Sequence, residues 1–218
     1  MYPRFMLILC FSIMTYFTQA QIYVDIDAAG ANNGLSWANA YADLQDAIDA
    51  AAAGNEIWVA AGTYLPTKDH TGNASPIDAR DKNFHFDTDI KIYGGFAGTE
   101  TMLSQRDYVA NVTILSGDFN DDDQVTGSGS TLTFANNSEN AYHVIITANL
   151  TAAAIIDGFT VKGGHADGPS SVMFSGLSFS RTSGGGIFNA SSSPNITNSN
   201  VYGNQVSAGG GIFNQSSS

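Results

Sequence analysis

Apolar residues along this chain follow two rhythms. In WANAYADLQDAIDAAAAG (37–54), Tyr41, Leu44, Ala47, Ile48 and Ala51 fall on one helical face, while Asp43, Gln45, Asp46 and Asp49 lie mainly off it. The spacing predicts an amphipathic helix over about 39–53, with Asn39 as N-cap and Gly54 just past its end. After Gly54 the rhythm shortens. EIWVAAGTY (56–64), DIKIYGGFAG (89–98), NVTILSGDF (111–119), AYHVIITANL (141–150), AAIIDGFTVKGG (153–164), PNITNSNVYGN (194–204) and GGIFN (185–189 and 210–214) are brief β-type runs broken by Gly and Asn. Short runs rich in Ile, Val, Tyr and Phe predict an all-β architecture.

Spacing narrows the architecture. Ile156, Val161 and Gly163 recur as Ile196, Val201 and Gly203, a shift of 40. GGGIFNASSS (184–193) recurs as GGGIFNQSSS (209–218) after 25 residues, and Ile90 to Ile114 is a shift of 24. These shifts suggest a coil of about 25 residues lengthened by insertions, the signature of a solenoid. The expected fold is a right-handed parallel β-helix, all-β apart from an N-terminal amphipathic capping helix. Its coils fill 56–218 and its cap 21–55. The polar insertions 65–83, 120–140 and 165–183 are expected on one side, where solenoids often bind. A coil begun at Gly209 and ended at Ser218 reads as the front of a longer protein.

The first twenty residues, MYPRFMLILCFSIMTYFTQA, stand apart. One Arg, a short apolar run and small residues before Gln21 predict a secretory signal peptide cleaved after Ala20. The location expected is therefore secreted or cell-surface, with no membrane span in the mature chain and no cysteine left for a disulfide. Without Arg4, 7 Lys and Arg face 20 Asp and Glu. Such a surface disfavours nucleic acid and anionic membranes, and suits neutral sugars or divalent cations.

The runs YVDIDAAGANNGLSWANAYADLQDAIDAAAAGNEIWVAAGTYLPT, KIYGGFAGTETMLSQRD, TILSGDFNDDD, IIDGFTVKGGHA and GGGIFNASSSPNITNSNVYGN resemble the large secreted right-handed parallel β-helix proteins of Bacteroidetes-type bacteria. The resemblance spans Tyr23 to the last residue. It implies the pectin-lyase-like fold and a surface or secreted role. Some distant members of that fold are polysaccharide lyases, but fold alone does not assign an activity.

Candidate chemistry is sparse. Asp118, Asn120 and Asp122 place oxygen ligands at alternate positions, as at the opening of a calcium loop. The loop pattern then fails, because Asp123 stands at the turn glycine and Gly129 at the closing Glu. Asp25 and Asp27 beside GANNG form a weaker acidic loop. A lyase would need a base beside a charge-neutralising cation. The cations Lys68, Arg80, Lys82, Lys91, Arg106, Lys162 and Arg181 share no coil spacing, and Arg106 reads as a corner clamp. A glycosidase would need two carboxylates across a groove; the sequence picks no pair, although Asp118 and Asp157 follow similar strand ends 39 residues apart, as repeated turn residues also would. Trp37, Trp58, Tyr64 and Tyr93 could stack on sugar rings, with Trp58 reading as core. His70, His85, His143 and His165 lack ligand spacing, and His143 reads as a strand residue. The expected function is a non-catalytic scaffold for adhesion or contact with a polysaccharide or cell-surface glycan. The alternatives are a polysaccharide lyase or glycoside hydrolase on the same fold, and a structural stalk.

Overall fold

The computed structural model describes residues 21–128, 131–206 and 210–216; the expected signal peptide lies outside them. The described residues are mostly strands in parallel sheets, with one α-helix among them. The first sheet contains Gln21–Val24, Glu56–Ala60, Lys91–Phe96, Ile155–Asp157 and Asn195–Thr197. The second contains Gly62–Tyr64, Thr113–Ser116, Phe159–Lys162 and Asn200–Val201. The third contains Phe84–Phe86, Ile145–Ala148, Ile187–Ala190 and Ile212–Gln215. From Glu56 onward the chain visits first, second and third sheet in that order, then starts again.

Pairing in register lines up like residues. In the first sheet Ile57, Ile92, Ile156 and Ile196 are successive partners. Tyr64, Leu115, Val161 and Val201 follow one another in the second sheet, and Phe84, Ile145, Ile187 and Ile212 in the third. Most of these side chains belong to one buried core between the sheets. The next inward row of the third sheet begins with Phe86 and then turns polar. Thr147 donates to Asn189 Oδ1 at 2.7 Å, and Asn189 donates to Asn214 Oδ1 at 2.8 Å, so each amide satisfies the next.

Residues 40 apart do stand side by side, Ile156 with Ile196 and Val161 with Val201. A uniform spacing of 25 does not hold, since it occurs only in the step from Ile187 to Ile212. Partners elsewhere lie further apart, such as Ile57 and Ile92 or Phe84 and Ile145. The Ile90–Ile114 shift has no structural counterpart. Ile114 pairs with Thr63 and Thr160 in the second sheet, whereas Ile90 precedes a strand of the first.

The helix is shorter than its periodicity suggests, Leu44–Ala50, and its N-cap is Asp43, whose carboxylate accepts Gln45 N at 2.8 Å. Asn39 instead ends a separate 3-10 turn, Trp37–Asn39. The reason lies at Tyr41, whose N–H donates to Tyr23 O while its carbonyl accepts from Asp25. Pairing with the edge strand Gln21–Val24 holds Tyr41 extended, so the helix cannot begin before it. Gly54 is not its C-terminal stop, which is Ala51; Gly54 turns the chain so that its N–H meets Asp89 O at 2.7 Å. Leu44, Ala47 and Ile48 pack into the main core. Gln45, expected on the polar side, is fully buried. It accepts His85 N at 3.1 Å and so supplies the edge of the third sheet with a partner that no strand provides.

The outer faces of two sheets are also covered. Trp58 and Phe96 stack at 4.6 Å on the first sheet, beside Tyr23, Trp37 and Tyr93. On the third sheet Ile146, Phe188 and Phe213 lie under Phe174 and Phe179 of an antiparallel hairpin, Ser171–Phe174 with Leu177–Ser180. Corners between strands are tight. A Cβ on Gly164 would stand 1.8 Å from Gly185 O. Gly164→Ala is therefore expected to destabilise by about 3 kcal/mol or more through backbone displacement. Gly72→Ala, where φ is +81° but the surroundings are open, should cost only about 1 kcal/mol. Urea titration of the two variants checks this, and equal losses would contradict the packing account.

Candidate functional site: a braced loop face

Long excursions leave the chain at one corner. Residues 65–83 connect Tyr64 to Phe84, 120–140 lie between Ser116 and Ile145, and 165–183 between Lys162 and Ile187. Each runs from the second sheet to the third. A further excursion, 97–112, leaves from the first sheet to the second and was not marked by the sequence pattern. The 120–140 insertion folds as the antiparallel pair Gln124–Thr126 with Thr133–Ala135. Gly129, the failed calcium-loop position, lies outside the described residues.

Two arginines tie the three insertions together. Arg80 Nε donates to Asn140 O at 2.6 Å, and its Nη2 donates to His165 O at 2.7 Å and to Asp167 Oδ1 at 2.6 Å. Arg181 forms a fork with Asp81, Nε to Oδ1 at 2.7 Å and Nη2 to Oδ2 at 2.5 Å. Between them lies Tyr142, with Arg80 4.1 Å and Arg181 5.1 Å from its ring centre and its hydroxyl donating to Asp78 at 2.8 Å. Burial, then the Asp78 contact, push this phenol up. Lys68 joins the first insertion to the helix through Asp46 at 2.6 Å and Asp49 at 3.0 Å.

A polar hollow of about 370 Å³ opens between the helix, the first insertion, the third-sheet edge and the 171–180 hairpin. Its walls include Ile48, Asp49, His70, His85, Asp87 and Phe174. Burial pushes His85 below the ordinary imidazole value, although Asp49 lies 3.9 Å from its Nε2. His70 Nδ1 is enclosed without a hydrogen-bond partner. Spacing along the chain gave no sign of this pair, because the first insertion folds His70 back over His85.

The predicted calcium residues occupy a turn at the start of the second insertion. Asp118, 3% exposed, accepts Asn120 N and Asp122 N through Oδ1 at 3.3 Å each, and Asp123 N through Oδ2 at 3.1 Å. Asn120 and Asp122 are exposed, and Asn120 lines a neighbouring hollow with Arg80, Lys82 and Glu139. Glu139, from the returning end of the insertion, completes a group with Asp118 and Asp122 whose ligand oxygens lie within 4.8 Å of one another. Two buried unit charges at that distance repel by about 3 kcal/mol at an effective dielectric of ~20, less where Asp122 meets water. Burial first, then the neighbouring carboxylates, push Asp123 up despite a hydrogen bond from Asn140. Glu139, Asp123 and Asn140 were invisible as partners in the sequence, since only the hairpin brings its two ends together.

Other candidates stay apart or serve the fold. Asp118 follows a second-sheet strand while Asp157 ends a first-sheet strand, so they are not a carboxylate pair on one face. Asp157 is clamped by Arg106 at 2.7 Å, with Thr197 and Asn198 also donating; burial would raise it, but these contacts hold it below the usual carboxylate range. Arg106 is thus a corner clamp, also bonded to Gly94 O at 3.0 Å. Trp58, Tyr64 and Tyr93 are buried and Trp37 half-buried in aromatic packing, which leaves no open ring for a sugar among them. Asp25 accepts Asp27 N at 3.0 Å as a turn residue. His165 Nδ1 donates to Asn137 O at 2.8 Å within the brace. His143 precedes the strand Ile145–Ala148 rather than lying in it. No family's sequence model, no curated protein and no solved structure matches the chain. Among the described residues no helix is long and apolar enough to cross a membrane.

The brace predicts unequal losses. Arg80→Lys removes the planar fork from two carbonyls and is expected to cost about 2 kcal/mol, whereas Asp167→Asn, at the exposed end, should cost less than about 1 kcal/mol. Chemical denaturation of both variants decides it. His143 carries a second expectation. Its Nδ1 donates to Gly184 O at 3.0 Å, Nε2 has no partner, and burial pushes it down to about 4. The unfolded chain, with an ordinary imidazole near ~6.5, takes up that proton first. The stability at stake is therefore complete above about pH 6.5 and lost as pH falls to about 4, in total about 3 kcal/mol. His143→Gln should flatten this limb of the stability–pH curve; an unchanged slope would contradict it.

Proposed function

We propose that the chain is a right-handed parallel β-helix of the pectin-lyase-like kind, and that it serves as a secreted or cell-surface scaffold contacting glycans without catalysis of its own. The observation that carries this reading is the fused loop face. Three insertions of unrelated sequence emerge at one corner and are locked together by Arg80, Arg181 and Tyr142. A surface fixed before its partner arrives loses little freedom on binding, which favours recognition. The polar hollow beside it, with carboxylates, imidazoles and the edge of Phe174, offers the hydrogen-bonding groups that hydroxyl-rich ligands need. The acidic surface suits neutral polysaccharides.

Four of the seven cations a lyase would call on support a structural role instead. Lys68, Arg80, Arg106 and Arg181 all end on carboxylates or carbonyls that hold corners and loops. Residues 1–20 support export, and the resemblance to secreted β-helix proteins supports the fold. The test is a panel of immobilised neutral and acidic polysaccharides presented to the chain from Gln21 onward, with a parallel assay for unsaturated and reducing products. Retention of a neutral polysaccharide without turnover is expected, and His70→Ala with Asp87→Ala should weaken it about tenfold, or ~1.4 kcal/mol. Turnover, or retention indifferent to those changes, would overturn the reading.

A further inference from the structure

We propose that Asp118, Asp122 and Glu139, with Asp123 and Asn140 beside them, form a calcium site that closes the base of the 120–140 insertion. The three carboxylates offer oxygens within 4.8 Å of one another. No pair therefore exceeds the span of two oxygens bonded to one ion at about 2.4 Å, the bond length calcium prefers. Acidic turns often lie together without a metal, so the decisive observation is a different one. Asn140 is 1% exposed, and its Nδ2 rests on Asp123 Oδ2 at 2.8 Å, yet its Oδ1 is enclosed with no donor. Asp123 Oδ1 and Glu139 Oε1 are enclosed and unpaired as well. Three sheltered oxygens, on Asp123, on the Asn140 that bonds it and on the neighbouring Glu139, lack the partner that buried acceptors normally have.

Nearby cations do not fill that role. Arg80 and Lys82 line the adjoining hollow with Glu139. Arg80 spends its guanidinium on Asn140 O, His165 O and Asp167. Among the described residues no ion pair joins a lysine or arginine to Asp118, Asp122, Asp123 or Glu139. An all-oxygen donor set of carboxylates and an amide selects a hard divalent ion. Calcium, which accepts irregular geometry and six to eight ligands, fits side chains drawn from two separate segments better than magnesium, which demands a regular octahedron. Asp118 to Asp123 come from the outgoing end of the insertion and Glu139 and Asn140 from the returning end. An ion there would staple the two ends where they meet the coil.

The inference is independent of the glycan reading, because a chain that retains no polysaccharide would still bind the ion. The experiment is calorimetric titration of the chelator-stripped chain from Gln21 onward with calcium chloride, together with melting curves in chelator, calcium and magnesium at matched ionic strength. The expected result is one calcium per chain and a melting temperature several degrees higher in millimolar calcium, with a smaller response to magnesium. Glu139→Gln and Asp122→Asn should each weaken binding at least about tenfold. In chelator the two variants should melt no lower than the parent, since each relieves carboxylate repulsion; the exposed Asp122 makes its variant safe to fold. No heat and no shift, an equal response to magnesium, or variants that bind as the parent does would each overturn the proposal.

Discussion

Everything in this chain depends on parallel strands pairing in register. When strands lie about 4.8 Å apart with matching residues adjacent, a side chain is packed by its counterpart in the next strand as much as by anything across the core. Ile57, Ile92, Ile156 and Ile196 illustrate this: none fills the interior alone, and together they form a continuous apolar row. The same constraint acts on polar positions. Asn189 can be buried only because Thr147 and Asn214 stand beside it with complementary groups.

Register also decides where variation is allowed. A strand that shifts breaks two pairings at once, so added sequence must leave and rejoin between strands. The connections from third to first sheet are short, as between Phe86 and Lys91 or Ala190 and Asn195. Those from second to third absorb most of the extra length, and 97–112, from first to second, much of the rest. Once several insertions share a corner, each becomes the ground on which the next packs. Tyr142 is buried only because Arg80 and Arg181 come to its ring from different insertions, and Phe174 and Phe179 reach back to shield the third sheet. The loop face is thus a second layer of structure rather than a fringe.

The division between what could and could not be seen in the amino-acid sequence follows from this. Ile156 with Ile196 and Ile187 with Ile212 were legible because in-register pairing writes the same residues at a fixed offset. The uneven spacing of Ile57 and Ile92, or of Phe84 and Ile145, was hidden by insertions that carry no such constraint. The helix was legible from its apolar stripe, but its start was not. Tyr41 has the right side chain for a helix and a backbone already committed to Tyr23 and Asp25. Gln45 reads as solvent-facing by any periodicity, yet it is buried because an edge N–H at His85 needs an acceptor. At the candidate site Asp118 and Asp122 were visible as a local motif. Glu139 and Asn140 belong with them only through a hairpin that local patterning cannot foretell.

One consequence concerns where function can reside. Rows that repeat are occupied by the demands of stacking, and their aromatic and aliphatic groups are turned toward each other. Three cations outside those rows are committed to structure: Arg106 clamps Asp157 and Gly94 across a corner, and Arg80 and Arg181 weld loops. Among the described residues, buried side-chain atoms without a partner are scattered singly at His70, Asn83, His143 and Ser191, and three more are oxygens of Asp123, Glu139 and Asn140 at the base of one insertion. Asn189 and Asn204 show how fully the stacked strands and their corners satisfy a buried amide, and the unpartnered atoms all lie outside the strands.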